Sequence, residues 1–169
     1  MASTNFLTMP LKVGENRYGI PFLRKAYTGG NNLSKTFVAK LWNDGTGILH
    51  GDRALPLTLD VSADISARFI LSGPVAGASG EKVRLEFCYF VRKATESEDP
   101  SSWDETVAGS VDVSSWSAKT QYRSDLALTK TNFEAGDFLT YRVRRIHDHA
   151  DDNYAQILTV HKVVLVANF

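Results

Sequence analysis

Lys82 to Lys93 reads Lys-Val-Arg-Leu-Glu-Phe-Cys-Tyr-Phe-Val-Arg-Lys. Val83, Leu85, Phe87, Tyr89 and Val91 fall at every second position, with Arg84, Glu86, Cys88 and Arg92 on the opposite face. This alternation is that of a half-buried strand in an antiparallel sheet. Working outward, Tyr122–Leu128, Phe138–Ile146 and Ile157–Ala167 read as further strands, and Ser110–Ser115 alternates weakly. Upstream, Thr36–Trp42, Leu55–Val61 and Ala67–Leu71 are expected strands, with Leu55, Leu57, Leu59 and Val61 facing inward. Gly, Pro and Asp turns such as 43–47 and Gly73-Pro74 separate them. No stretch has the apolar period of an amphipathic helix; a turn is expected near Asn132–Ala135.

About eight such strands predict an all-β, jelly-roll-like antiparallel β-sandwich. Phe37, Leu57, Leu59, Leu85, Phe87, Tyr89, Val143 and Val164 are its expected core. In the last strand Ile157, Thr159, Val163 and Leu165 face one way. Leu158, Val160, Val164 and Val166 face the other, which predicts cover on both sides.

The chain has 169 residues, 43 % of them hydrophobic, with 19 basic and 19 acidic side chains and a formal net charge of zero. That composition fits one globular domain and excludes collagen, coiled coil and wholesale disorder. A neutral chain lacks the overall basic charge of a nucleic-acid binder, so no nucleic-acid partner is expected. No apolar run approaches the roughly 18 residues of a membrane span, and none is expected. The first residues lack the pattern of a secretory signal. With one cysteine, Cys88, no disulfide can form within the chain.

Residues 1–35 read differently from 36–169. They hold Pro10, Pro21 and Gly29-Gly30-Asn31-Asn32, yet carry scattered large apolar groups. Phe6, Leu7, Tyr18, Ile20, Phe22 and Tyr27 suit an extended N-terminal arm that docks on a partner. Strands within the domain's own sheets are the other reading of this segment.

Candidate chemistry is sparse. His147, Asp148, His149, Asp151 and Asp152 cluster within one loop, a possible cation site by donor type. No zinc or calcium spacing matches, and a polar hairpin loop with Asx turns explains the same residues. Arg142, Arg144 and Arg145 are expected to form ion pairs with neighbouring acids. Cys88 reads as a buried, inert thiol. Gly73–Gly80 lacks the Gly-Lys-Ser/Thr of a phosphate loop, and no nucleophile motif occurs. The chain is therefore expected not to be an enzyme and to use no cofactor or metal. Trp42, Trp103 and Trp116 are the candidates for a sugar-binding face, Trp103 standing in the acidic segment 95–105.

The segment Phe133-Glu134-Ala135-Gly136-Asp137-Phe138-Leu139-Thr140-Tyr141-Arg142-Val143-Arg144-Arg145, then Asp151-Asp152-Asn153-Tyr154-Ala155 and a closing strand, resembles tailed-phage virion structural proteins. It is similar to β-sandwiches that trimerise on virions as capsid decoration (cement) proteins or as tail and fibre modules. The resemblance implies a homotrimer on the major capsid protein lattice, located in the virion and made in the host cytoplasm. Attachment would run through the arm. It also implies that Phe138, Tyr141, Arg142, Arg144 and Tyr154 lie near a subunit contact. A tail, fibre or baseplate component is one alternative. A carbohydrate-binding β-sandwich module using Trp103 or Trp116 is the other.

Overall fold

Strand β7, Lys82–Arg92, runs through the middle of one sheet. The computed structural model describes residues 41, 48–93, 96 and 102–167, with the strand backbone of 4–9, 12–13, 23–25, 37–40 and 168. The other strands are β1 Thr4–Met9, β2 Lys12–Val13, β3 Leu23–Lys25, β4 Phe37–Leu41, β5 Ile48–Ala54 and β6 Ile65–Ser72. After β7 come β8 Glu105–Asp112, β9 Tyr122–Leu128, β10 Phe138–Arg145 and β11 Leu158–Asn168. A short 3-10 turn covers Lys130–Asn132, close to the expected turn.

These strands make an antiparallel β-sandwich of the jelly-roll-like kind. A five-stranded sheet has the order β2-β5-β10-β7-β8. A six-stranded sheet has the order β3-β4-β11-β6-β9, with β1 also on β11. Inward side chains of β7 (Leu85, Phe87, Tyr89) meet those of β6 and β11 (Phe69, Leu71, Val160, Val163) in one core. Phe69 and Phe87 touch edge to face at 6.1 Å across the two sheets. Burying each such side chain contributes about 1.5–3 kcal/mol, so this core holds the fold without a disulfide.

Two expectations are corrected. Leu55–Val61 is not a strand. Pro56, with its fixed φ and no N–H, starts a turn that closes with the Leu59 N–H on the Pro56 carbonyl at 3.1 Å. Leu55 and Leu59 are buried, while Leu57 is 85 % exposed. The neighbouring strand is Ile48–Ala54, which the sequence hid because its inward positions are Leu49 and Gly51, a single large apolar side chain.

The closing strand is buried on both faces, as expected, but its residues do not fall in the expected phase. A bulge between Val160 and Lys162 resets its alternation. Leu158 and Val160 before the bulge, and Val163, Leu165 and Ala167 after it, all join the same core. His161 sits at the bulge, its Nε2 2.8 Å from the Ser72 hydroxyl. Val164, an expected core residue, is buried on the other face of the sheet.

Within residues 1–35, the described stretches pair with this domain's own strands. Thr4–Met9 lies antiparallel to β11, Lys12–Val13 to β5, and Leu23–Lys25 to β4. That is the in-sheet form of the two read from the sequence. Tyr18, Ile20, Phe22 and Tyr27, the side chains of Phe6, Leu7 and Phe37, Trp42, and the boundary at residue 35 lie outside the described residues.

The glycine-rich run 73–80 has a packing role. Gly77 donates its N–H to the Trp116 carbonyl at 3.1 Å. A Cβ on Gly77 would lie 1.8 Å from the Val113 carbonyl oxygen, which is backbone and cannot swing away. Gly77→Ala is expected to cost about 1–3 kcal/mol or more, read as a lower urea midpoint with unchanged slope.

Candidate functional site

Alternation on β7 and β10 sends half of their side chains to the outer face of the five-stranded sheet. Register then decides which of them meet. Arg142 lies opposite His50 on one side and Cys88 on the other. Thr140 lies between Asp52 and Phe90, and Phe138 between Ala54 and Arg92. Arg144 lies opposite Glu86. The result is a band of aromatic and polar groups running along β10 from Phe138 to Arg144. It spans about 20 Å at the usual rise per residue.

Trp103 is brought onto this band by the residue after it. Asp104 accepts the Val91 N–H through its carboxylate at 2.7 Å, and its own N–H donates to the Tyr89 carbonyl at 2.9 Å. These bonds dock the segment before β8 on the end of β7. The half-buried indole then lies over the Arg142 guanidinium, 5.2 Å from ring centroid to Cζ, and 5.7 Å from the Phe90 ring. Two rows along, Arg92 lies 5.3 Å over Phe138.

Beneath Trp103, Glu86 is buried with its carboxylate shared by two arginines. Arg144 donates to it at 2.5 and 2.8 Å, and Arg142 at 3.2 Å. The Cys88 thiol donates to the same carboxylate at 3.1 Å, and Arg142 also reaches Cys88 Sγ at 3.2 Å. Burial pushes the Glu86 carboxyl up, but these hydrogen bonds and charges outweigh it and hold it below the ordinary range. Burial also raises the Cys88 thiol, in line with an inert buried cysteine. His50 is lowered, chiefly by burial and by the charge of Arg142, against an opposing pull from Asp52.

A group whose folded pKa is depressed stabilises above its unfolded pKa and loses that contribution as pH falls through the folded value. The stability gap between the native chain and Glu86→Gln is therefore expected to be full near neutrality and to close below about pH 4. Thermal unfolding of both chains between pH 3 and 7 checks this.

Other expected site residues lie elsewhere. Tyr141 and Tyr154, expected near a subunit contact, are buried in the fold. Tyr141 alternates inward on β10 and stacks on Phe87 at 5.6 Å. Tyr154 donates its hydroxyl to the Val75 carbonyl at 2.8 Å. Trp116, offered for a sugar face, is 5 % exposed and stacks flat on Tyr122 at 4.8 Å. Phe138, Arg142 and Arg144 lie on the outer band with Trp103.

The His/Asp loop is a structural clamp. Arg145 turns inward and its guanidinium is held by the Asp152 carboxylate and the Tyr154 carbonyl, with the Gln156 carbonyl at 2.6 Å. Both side chains of the Arg145–Asp152 pair are 1 % exposed. Asp152 also accepts the Arg84 N–H at 2.9 Å, and Asn153 accepts that of Lys82 at 2.7 Å. Asp151 faces Arg84 and Lys82 at 3.7 and 3.9 Å, and its N–H donates to His149 Nδ1 at 3.0 Å. His147 and Asp148 are exposed. Among the described residues no three His, Cys, Asp or Glu side chains converge as a metal site would require.

Sequence alternation placed Arg142 and Arg144 on one strand face and Glu86 on another. It could not show that β7 and β10 are neighbours, so Glu86 did not stand out as the partner of Arg142 and Arg144, whereas the Arg145–Asp152 pair is one of the ion pairs expected with neighbouring acids. Phe90, His50 and the Arg92–Phe138 contact had no sequence signal beyond strand parity.

No family model matches the chain, and no curated protein matches it. Among solved structures it is similar to a "xylan-binding module CBM15", with a TM-score of 0.42 and 15 % identity over 94 % of this chain and 97 % of that one. A second is TmCBM61 in complex with beta-1,4-galactotriose, with a TM-score of 0.42 and 9 % identity over 94 % and 89 % of the two chains. A third holds the CBM22-1 and GH10 modules of a Clostridium thermocellum endo-1,4-beta-D-xylanase, complexed with xylohexaose. Its TM-score is 0.33 at 10 % identity, over 78 % of this chain and 24 % of that one. At such scores and identities the likeness says nothing about a ligand.

Proposed function

We propose that this protein binds carbohydrate on the outer face of its five-stranded sheet, with Trp103 as the anchor. The observation that carries the reading is the band itself: a half-buried indole beside Phe90 and Arg142, with Arg144 and Thr140 on the same strand face. A sugar ring is apolar on its C–H faces and polar at its rim. An aromatic plane surrounded by hydrogen-bonding side chains complements both parts.

Preorganisation favours the same reading. Arg142 is held from below by Glu86 and Cys88 and from above by Trp103. A side chain already fixed loses little rotamer freedom when a ligand arrives. A strand-built platform also keeps its spacing better than a loop-built one.

The virion reading would attach the chain to a capsid through residues 1–35. Nothing among the described residues speaks for a capsid contact, so the glycan reading stands first. Affinity electrophoresis of the purified chain through gels containing individual polysaccharides, neutral and acidic, tests it. Retardation by at least one of them is expected. Unretarded migration in every gel would overturn the glycan reading and return the virion proposal to the front.

A further inference from the structure

The charges of the band are unevenly placed. Arg92 shares its end with Asp52 and Asp104, while Arg142 and Arg144 have Glu86 as the one carboxylate of the sheet between them, with the exposed Asp148 acting on Arg144 from the loop after β10. Arg84, one step further along β7, is matched by Asp151 at 3.7 Å. Glu86 is buried on this outer face and saturated by Arg142, Arg144 and Cys88, so its oxygens are closed to a ligand. Two guanidinium groups therefore share one carboxylate that solvent does not reach. The side chains of Arg142 and Arg144 keep 26 % and 43 % of their surface exposed. Arg144 Nη1 donates to no acceptor among the described residues.

A guanidinium presents paired N–H groups that match a carboxylate, and such charge-assisted bonds are the strong ones.

We infer that the glycan bound here carries carboxylate groups, that is, uronate residues, with one carboxylate seated on Arg144 and Arg142 beside a ring stacked on Trp103. The inference rests on the glycan reading above and narrows it to a chemical class. The surplus charge without a ring to stack on Trp103 is not enough, which separates this ligand from a simple anion.

Binding of the full chain to polygalacturonate, alginate and hyaluronan, each beside its carboxyl-reduced form, tests the inference by calorimetry. At least one acidic polymer is expected to bind about ten-fold or more tightly than its reduced partner, the scale of one hydrogen-bonded charge. Arg144→Gln is expected to shrink that ratio toward one, the acidic form losing more affinity than the reduced form. Trp103→Ala is expected to weaken both forms. Equal binding of acidic and reduced polymers would overturn the inference and leave the glycan reading intact. So would an acid preference that Arg144→Gln does not change. Acidic binding insensitive to Trp103→Ala would mean attraction by charge alone, against the inference. Binding to no polymer of either kind would overturn the glycan reading itself.

Discussion

Asp152→Ala is expected to lower the unfolding free energy by about 3–5 kcal/mol, the cost of stranding one partner of a buried ion pair. For a chain of this size that is a drop in Tm of roughly 6–20 °C. The substitution leaves the Arg145 guanidinium charged and buried, with the Tyr154 and Gln156 carbonyls as its remaining acceptors. It also removes the acceptor of the Arg84 N–H at the start of β7. The loop between β10 and β11 would then lose its hold on the start of β7. Asp148→Ala, on the same loop but exposed, is expected to stay within about 0.5 kcal/mol of the native chain. Replacing both partners, Arg145→Met with Asp152→Leu, is expected to recover part of the loss. Recovery stays partial because the two carbonyls would go unpaired. Chemical denaturation of the four chains reads these differences.

Trp103→Ala is expected to weaken glycan binding by roughly thirty-fold or more, about 2 kcal/mol, as the loss of an aromatic anchor does at other interfaces. The same change should leave the fold nearly untouched. The indole is half-buried and its contacts are Arg142 and Phe90 on the outer face. Losing the cation–π contact costs about 0.5–1 kcal/mol at a site of this kind, so Tm should move by no more than a few degrees. Trp116→Ala is the opposite case. Trp116 belongs to the core and stacks on Tyr122, so its loss should destabilise the chain by about 3–5 kcal/mol. Native binding by whatever Trp116→Ala remains folded, beside lost binding by stable Trp103→Ala, would separate the platform from the core.

Strand parity made most of the sandwich legible. Lys82–Arg92, Tyr122–Leu128 and Phe138–Arg145 are rows of alternating side chains, and the alternation survives in the structure. It failed where local chemistry overrode the period. Leu57 keeps phase with Leu55 and Leu59 but lies in a turn begun by Pro56, so its side chain points to solvent. A bulge at His161 shifts the phase of β11, a one-residue irregularity that composition does not mark. Ile48–Ala54 escaped notice because its core contribution is mainly Leu49, the position two further on being Gly51.

The candidate site was legible in part for the same reason. Trp103 stood out as an aromatic in a polar segment, and Arg142 and Arg144 as cations on one face. Their meeting depends on β7 lying beside β10, with Arg144 opposite Glu86. That pairing joins residues far apart in the chain, and parity carries no information about which strands are neighbours. The Asp104 carboxylate that docks Trp103 on the sheet was read as one more charge of an acidic loop.

The central claim is a place as much as an activity: a glycan lies across the outer face of the five-stranded sheet. Amide and indole chemical-shift mapping of the 15N-labelled chain, titrated with a bound oligosaccharide, tests that directly. The account predicts that the Trp103 indole N–H and the amides of Phe90, Thr140, Arg142 and Arg144 shift together, while the Trp116 indole stays still. Shifts confined to the six-stranded sheet or to the 146–157 loop would contradict it.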